Sequence, residues 1–318
     1  MTRIVVGDIG GTHCRFAIAD LAGGERPRIG PMRRYRSRDL AGLTAAWTKF
    51  AAEEGAELPR HAGLAVAAPI EGDVLRFMNN DWRIPRHSIA DDLRLDRLTL
   101  LNDFGAVSHA VAILEPDELT PVCGPERLPD RGIVAVMGPG TGLGVAILDR
   151  RHDVSVIETE ASHIGFSPLD PEEEELADAL VARYGRASVE RIVSGPGLID
   201  IYRFLGGGEW NPMKAGDLWA AAIAGEDEQA ERALEIFVRC FGAAAGDIAL
   251  AQGAMGVAIT GGIANRIDHL LRAPAFEARF TAKGRYRERM QRTAVVLARI
   301  EEPGLLGAAI AFQRQHMA

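Results

Sequence analysis

Val6-Gly7-Asp8-Ile9-Gly10-Gly11-Thr12, leading into Arg15-Phe16-Ala17-Ile18-Ala19-Asp20, is the stretch on which the reading of this chain turns. Ile4, Val5 and Val6 make a short, apolar, β-branched run of the kind a buried strand uses, and residues 15–20 resume an extended pattern. The glycines therefore fall between two strands. A dinucleotide fold places Gly-x-Gly-x-x-Gly between a strand and a helix, and a Walker loop ends in Gly-Lys-Ser/Thr; neither matches. A glycine-rich turn between strands lets backbone N–H groups approach phosphate oxygens with no Cβ in the way. Asp8, at the strand end, is placed to hold Mg²⁺ through water, and Thr12 to hydrogen-bond a phosphate oxygen. A tight hairpin that merely contains three glycines is the other reading, and the turn alone leaves it open.

Composition narrows the classes. The chain has 318 residues, 47% of them hydrophobic, enough for two cores or one bilobal body. A formal net charge of −8 argues against a nucleic-acid or anionic-membrane surface, which needs clustered Lys and Arg. Phosphate ligands must then be held locally, by backbone and metal. Cys14, Cys123 and Cys240 are widely spaced with no C-x-x-C pair, which points to reduced thiols in a cytoplasmic protein and to neither a disulfide frame nor a zinc site. No charged-then-apolar leader is seen, and the apolar stretch 241–259 is broken by Asp247 and Gln252, so no membrane span is expected.

Strands and helices alternate along the chain. A strand near residues 32–38, a helix over 40–54, a strand over 63–67, a helix near 87–93 and a strand over 98–101 lead to Asn102-Asp103-Phe104, which opens a helix running to about residue 114. Ile133-Val134-Ala135-Val136-Met137, then Gly138-Pro139-Gly140-Thr141-Gly142-Leu143-Gly144, then Val145-Ala146-Ile147-Leu148 repeat the opening plan of strand, Gly/Thr turn and strand. The repeat lies roughly 130 residues on, far beyond solenoid periods, and implies two lobes of similar topology. Helices are expected over 172–184, 195–205, 215–224, 226–252 and after Pro303, with strands over 257–260 and 294–297. The first of those strands ends at Gly261-Gly262-Ile263, a close approach of backbone to something flat or charged.

Five motifs now stand in order: Gly7-Asp8-Ile9-Gly10-Gly11-Thr12, Leu101-Asn102-Asp103-Phe104, Gly138-Pro139-Gly140-Thr141-Gly142-Leu143-Gly144, Thr260-Gly261-Gly262-Ile263 and Pro303-Gly304-Leu305-Leu306-Gly307-Ala308. With Glu160-Ala161-Ser162-His163-Ile164-Gly165-Phe166 and Glu190-Arg191-Ile192-Val193-Ser194-Gly195, they make the chain resemble a bacterial glucokinase of the actin-like sugar-kinase superfamily over nearly its whole length. The related repressor/kinase sugar kinases usually carry a Cys-rich zinc motif after this His. Nothing of that kind follows His163, so the resemblance is to the zinc-free glucokinase branch.

The resemblance implies a two-lobed, actin-like (ribonuclease-H-like) α/β ATPase fold with the active site in the interlobe cleft. The small lobe would hold residues 1–113 plus 302–318 and the large lobe 114–301. The implied reaction moves the γ-phosphoryl group of ATP to the 6-hydroxyl of glucose, with Mg²⁺, in a cytoplasmic homodimer that uses neither nucleic acid nor membrane. Asp103 is the candidate general base, since an ordinary Asp is ionised at neutral pH. Read from its strand-to-helix junction alone, it serves equally as a helix N-cap. Asn102, Asp103, Glu160, His163 and Glu190 are the implied sugar contacts. Asp8, Gly10, Gly11, Thr12, Gly138, Gly140, Thr141, Gly142, Gly261 and Gly262 are the implied nucleotide and metal contacts, with Asp8 on the metal.

Other residues carry plainer expectations. Asn79 and Asn80 are explained by turn formation as well as by sugar contact. Glu190 also reads as an exposed helix start, residues 172–175 as a solvated first helical turn, and the basic residues between 283 and 292 as charged surface. Trp47, Trp82, Trp210 and Trp219 are expected in or near cores. The competing functions are a hexose kinase of broader specificity, a phosphohydrolase or acid kinase on the same fold, and a non-catalytic regulator; the last lacks a DNA-binding segment and the charge for one.

Overall fold

The computed structural model describes residues 2–77, 80–206 and 215–317, so Asn79 and Trp210 lie outside the described residues. The chain divides into two compact units, Met1–Leu114 with Ile300–Ala318, and Glu115–Arg299.

In the first unit β1 (Thr2–Ile9) and β2 (His13–Leu21) form the opening hairpin, and β3 (Arg28–Ile29) and β4 (Arg33–Arg36) both pair with β2. Helix α1 (Leu43–Glu54) leads to β5 (His61–Val66), which runs parallel to β1. A separate ribbon of β6 (Val74–Arg76) and β7 (Arg83–Pro85) and the short α2 (Ile89–Asp92) precede β8 (Arg97–Asn102), parallel to β5, and α3 (Asp103–Val111). The sheet order is β3-β2-β1-β5-β8.

Alternation decides what covers this sheet. Val5, Ile9 and Phe16 point to one face and bury against Leu43, Trp47 and Phe50 of α1; the Phe16 ring stacks on Phe50 at 5.5 Å and meets Trp47 edge-on at 6.0 Å. Ile4, Val6, Ala17 and Ala19 point to the other face, against Leu305, Ala309 and Phe312 of the last helix, Pro303–His316. Each fully buried Phe or Leu stabilises by about 2–3 kcal/mol. Asp8 shares the parity of Ile4 and Val6, so its carboxylate emerges on the last helix's side. That helix lies against backbone: a Cβ on Gly63 would meet the Ala308 carbonyl, and one on Gly307 would overlap the Ala106 carbonyl of α3.

The second unit repeats the plan. Its strands are β9 (Leu119–Cys123), β10 (Ile133–Pro139), β11 (Leu143–Asp149), β12 (Ser155–Thr159), β13 (Gly256–Ile259) and β14 (Ala294–Ala298), in the order β12-β11-β10-β13-β14-β9. The first five match β3-β2-β1-β5-β8 in connectivity and direction: an antiparallel run into β10, then parallel β13 and β14. Helices α4 (Pro171–Tyr184), α5 (Val189–Ile192), α6 (Gly195–Phe204), α7 (Ala215–Ala224) and α8 (Glu228–Gln252) fall between β12 and β13. Between β13 and β14 come α9 (Gly262–Arg266), α10 (Asp268–Leu271), α11 (Pro274–Thr281) and α12 (Arg287–Gln291). Helix α8 is capped by Asp227, whose side chain accepts the Ala230 N–H, and stops at Gly253, with φ of 68°. Its Phe237 and Phe241 anchor the core, while Gly242 and Gly246 let α11 approach until the carbonyls of Phe276 and Phe280 touch them.

Two surface expectations are corrected here. Glu173 is fully buried, pairing with Arg279 and accepting the Leu169 N–H at 2.9 Å, because α4 turns its first-turn carboxylate inward toward α11. Lys283 donates to the Ala243 carbonyl at 2.9 Å and pairs with Asp247 at 2.7 Å, its side chain only 9% exposed against α8. Trp47, Trp82 and Trp219 are buried, as expected. Cys14, Cys123 and Cys240 are all free thiols. Among the described residues no helix is long and apolar enough to cross a membrane.

Candidate functional site

Strand register lines up the candidate residues of the first unit. Ile9 pairs with Val66 and Val66 with Asn102, so the carboxyl ends of β1, β5 and β8 lie in one row. Ligands in open α/β sheets bind at such ends. The 10–12 turn follows the first strand of the row and Asp103 the last, two strand spacings or roughly 10 Å apart across the sheet.

Asn102, and not Asp103, is the N-cap of α3. With φ of −65° and ψ of 155°, its Oδ1 accepts the Phe104 N–H at 2.9 Å, and its Nδ2 donates to the Ala68 carbonyl at 3.4 Å. Asp103 then occupies the first helical turn, where its Oδ1 also accepts the Phe104 N–H at 2.9 Å and where the helix dipole favours a negative charge. The ambiguity at this junction is thus divided between two residues: Asn102 terminates the helix and Asp103 presents a carboxylate half-exposed at the sheet edge.

The 10–12 turn is held from behind. The Gly10 N–H donates to the His13 carbonyl at 2.8 Å, Ser37 Oγ donates to the Gly10 carbonyl at 2.8 Å, Asn80 Nδ2 to the Gly11 carbonyl at 3.3 Å, and the Ser37 N–H to the Thr12 carbonyl at 3.0 Å. Three successive carbonyls are tied down, while the N–H groups of Gly11 and Thr12 make no hydrogen bond among the described residues. Donors without acceptors at a strand end suit an anion. Ser37, fully buried, and Asn80 were beyond the reach of sequence spacing, since nothing local links them to the glycines.

Asp8 sits beside this turn in a charged cluster. Arg15, its cross-strand partner, donates from Nη1 to Asp8 Oδ2 at 2.7 Å and places Nε 3.3 Å from Glu302. Burial pushes the Asp8 carboxyl above its ordinary range, and Arg15 opposes that rise. Gly304 packs onto it: a Cβ there would stand 2.9 Å from Asp8 Cγ. Glu302 precedes the last helix with φ of 45°, a left-handed conformation uncommon outside glycine. Asp8 fits Mg²⁺ chemically, because that ion is commonly held by one or two carboxylates with waters and phosphate oxygens completing six positions, and Arg15 engages only one of the two oxygens. A cation at the other would offset the burial of the charge. Among the described residues no three His, Cys, Asp or Glu gather into a metal cage.

The second unit carries the other expected contacts. Its 140–142 turn closes with the Gly140 N–H on the Gly142 carbonyl at 2.7 Å, while Gly195 at the start of α6 donates to the Gly140 carbonyl at 2.7 Å. Gly138 pairs with Gly144 and Thr141 is exposed at the tip, as Thr12 is in the first unit. Glu190, in α5, is not an exposed helix start. Its Oε2 accepts the Leu143 N–H at 3.1 Å, and a Cβ on Gly142 would overlap the same oxygen. Thr260 donates its N–H to the Met137 carbonyl at 2.9 Å, bringing Gly261 and Gly262 to the same sheet edge. Gly261 has φ of 104°, which requires glycine; a Cβ on Gly262 would meet nothing within 4 Å, so packing does not explain its small size.

Glu160 and His163 flank the short 3-10 turn Ala161–His163, with His163 Nε2 3.7 Å from Glu160 Oε2 and their side chains 50% and 63% exposed for His163 and Glu160 respectively. The bridge between Gly165 and Ser188 ties this turn to the segment carrying Glu190, through Val189 N–H to Ile164 carbonyl at 3.0 Å and Phe166 N–H to Ala187 carbonyl at 3.0 Å. Three expected sugar contacts thereby share one neighbourhood of the second unit.

The chain is 44% identical over 319 residues to the glucokinase of Zymomonas mobilis subsp. mobilis, covering 99% of this chain and 98% of the relative. The crystal structure of a glucokinase from an Antarctic psychrotroph superposes with a TM-score of 0.85 at 29% identity, over 99% of both chains. A ROK-family glucokinase from Streptomyces griseus, solved in complex with glucose and AMPPNP, shares the fold at a TM-score of 0.68 and 20% identity, over 96% of this chain and 98% of that one. The fold is the two-lobed, actin-like α/β fold of these sugar kinases. A model of the family described as Glucokinase matches residues 5–315, and on that match together with the 44% identity the chain belongs to the glucokinase family.

Proposed function

We infer that the chain catalyses ATP-dependent phosphorylation of glucose, at the 6-hydroxyl, with Asp103 as general base. The observation that carries this reading is the sheet edge of the first unit, where register aligns the turn at Gly10 with Asp103 in a chain of the glucokinase family. The relative from Streptomyces griseus holds glucose and an ATP analogue in the same fold, which supports both substrates.

Phosphoryl transfer needs positioning and charge stabilisation more than covalent help. Asp103 accepts the hydroxyl proton as the sugar oxygen forms its bond to the γ-phosphorus and the bond to the bridging β-γ oxygen breaks, releasing ADP. Asn102, held by hydrogen bonds with Phe104 and Ala68, offers an amide to a neighbouring hydroxyl. Glu160, His163 and Glu190 recognise the remaining sugar hydroxyls. The N–H groups of Gly11 and Thr12, with the Thr12 hydroxyl, take phosphate oxygens; Gly138, Gly140, Thr141, Gly142, Gly261 and Gly262 are the further nucleotide contacts. Asp8 would hold Mg²⁺, and the ion would supply neutralisation of the triphosphate charge.

We further take the protein to work in the cytoplasm as a homodimer; its three free thiols support the former, and light scattering after gel filtration tests the latter. ADP release measured with Mg-ATP over a panel of hexoses tests the function. Glucose-dependent release with glucose well above mannose and fructose in kcat/KM is expected. Equal release without sugar would replace the reading by that of a phosphohydrolase, and equal use of several hexoses would broaden it.

A further inference from the structure

Next to the 10–12 turn, β4 pairs with β2 so that His13 stands opposite Arg36 and Arg15 opposite Arg34. Cross-strand partners share a sheet face, and alternate residues along a strand share it too. His13, Arg15, Arg34 and Arg36 therefore lie on the face of Asp8, while Tyr35 is buried on the opposite face, where Arg33 reaches Glu54 at 3.3 Å. Arg15 is neutralised by Asp8 and Glu302. Arg34 and Arg36 have no ion pair among the described residues; Arg34 instead places Nη2 3.3 Å from His13 Nδ1. Like charges facing one another across strands are destabilising, and this chain of net charge −8 has carboxylates to spare, yet sets none against this pair. The segment is also fixed to the turn, because Ser37, directly after Arg36, holds the carbonyls of Gly10 and Thr12.

We propose that His13, Arg34 and Arg36 form an oxyanion site continuous with the 10–12 turn, which takes a phosphoryl group. Two guanidinium forks and an imidazole beside the free N–H groups of Gly11 and Thr12 match the several acceptors of a tetrahedral phosphate, and planar forks suit that geometry better than ammonium groups do. The His13 imidazole is held below its ordinary range, first by burial and then by Arg34, Arg15 and Arg36, so those three charges converge on this spot. The phosphoryl group belongs either to the tail of the nucleoside triphosphate or to free phosphate and phosphate monoesters. The first source rests on the kinase reading above; the second does not.

The test is calorimetric titration of inorganic phosphate into the full chain and into Arg34→Ser/Arg36→Ser, Arg34→Lys/Arg36→Lys and Arg33→Ser, with the KM for ATP measured on each. Loss of two charge-assisted contacts is expected to weaken phosphate binding about tenfold or more in the Ser pair, with partial recovery in the Lys pair. Arg33→Ser, which removes the same charge from the opposite face, is expected to bind phosphate as the parent does. A rise in KM for ATP parallel to the loss of phosphate binding assigns the site to the nucleotide tail. Loss of phosphate binding with the ATP KM unmoved assigns it to free phosphate or a phosphate monoester, and holds even if the chain proves not to be a kinase. Unchanged phosphate affinity in the Ser pair, no measurable binding to the parent, or an equal loss in Arg33→Ser overturns the proposal.

Discussion

Replacing Gly142 by Ala tests how the glycine turn of the second unit is held. The three heavy atoms nearest to the new Cβ all belong to the Glu190 side chain, and the closest is the oxygen that accepts the Leu143 N–H at 3.1 Å. The methyl group cannot enter without expelling that carboxylate, so the substitution costs the hydrogen bond, about 1.5–3 kcal/mol for one to a charged group. For a unit the size of the second, that lowers its melting temperature by about 3–12 °C. With Glu190→Ala already made, the obstacle and the bond are both gone. Gly142 has no left-handed φ, so Ala there is expected to be neutral or to stabilise by about 0.4–1 kcal/mol through the unfolded chain. Scanning calorimetry on the parent, both single variants and the double variant should give a coupling of about 2 kcal/mol or more. Equal losses from Gly142→Ala in both backgrounds would refute the idea that Glu190 alone sets the requirement for glycine.

Asp103→Ala is expected to lower kcat by about 10²–10⁴ while glucose binding, read by calorimetry, remains detectable; near-parental turnover removes Asp103 as the base. Gly307→Ala forces a methyl into the Ala106 carbonyl and should destabilise the first unit by about 1–3 kcal/mol or more in urea titrations, where an unshifted midpoint would contradict the close approach. His109 is pushed down to about 4, first by burial and then by Arg314, whose Nη1 lies 2.9 Å from its Nδ1. The unfolded imidazole binds its proton near 6.5, so the stability His109 contributes is complete above that pH and falls as pH drops toward 4, by about 2 kcal/mol between pH 7 and 5. His109→Gln should flatten that part of the stability profile; an unchanged slope disproves the assignment.

Much of the architecture was legible because its signals are local. The β-branched runs around both glycine turns, the Asn-Asp pair after an apolar strand, and the small residues after Pro303 each have a physical cause within a few positions. The alternative reading of Asp103 as a helix cap was resolved only by geometry, since Asn and Asp cap equally well and neighbouring positions offer both. What escaped the sequence depends on partners far along the chain. Ser37 ties down a turn 27 positions earlier, and Glu190 reaches a turn 47 positions before it. Glu173 and Lys283 looked like surface charges because helical periodicity shows a face but not what packs on it. The short strand β9 and the helices α9–α12 carry too little periodicity over their lengths to stand out.

The backbone contact of the last helix with Gly63 and Ala106 has a consequence for synthesis on the ribosome. The first unit lacks its covering helix until residues 300–318 have been translated, after all of residues 115–299. At elongation rates of about 5–20 residues per second, the nascent sheet waits roughly 10–40 s with one side uncovered. That side carries Ile4, Val6, Ala17, Ala19 and Leu21, an apolar surface open to chaperones or to other nascent chains. The second unit, continuous in sequence, has no such wait, so a ribosome stalled before residue 300 leaves a folded half attached to an aggregation-prone one.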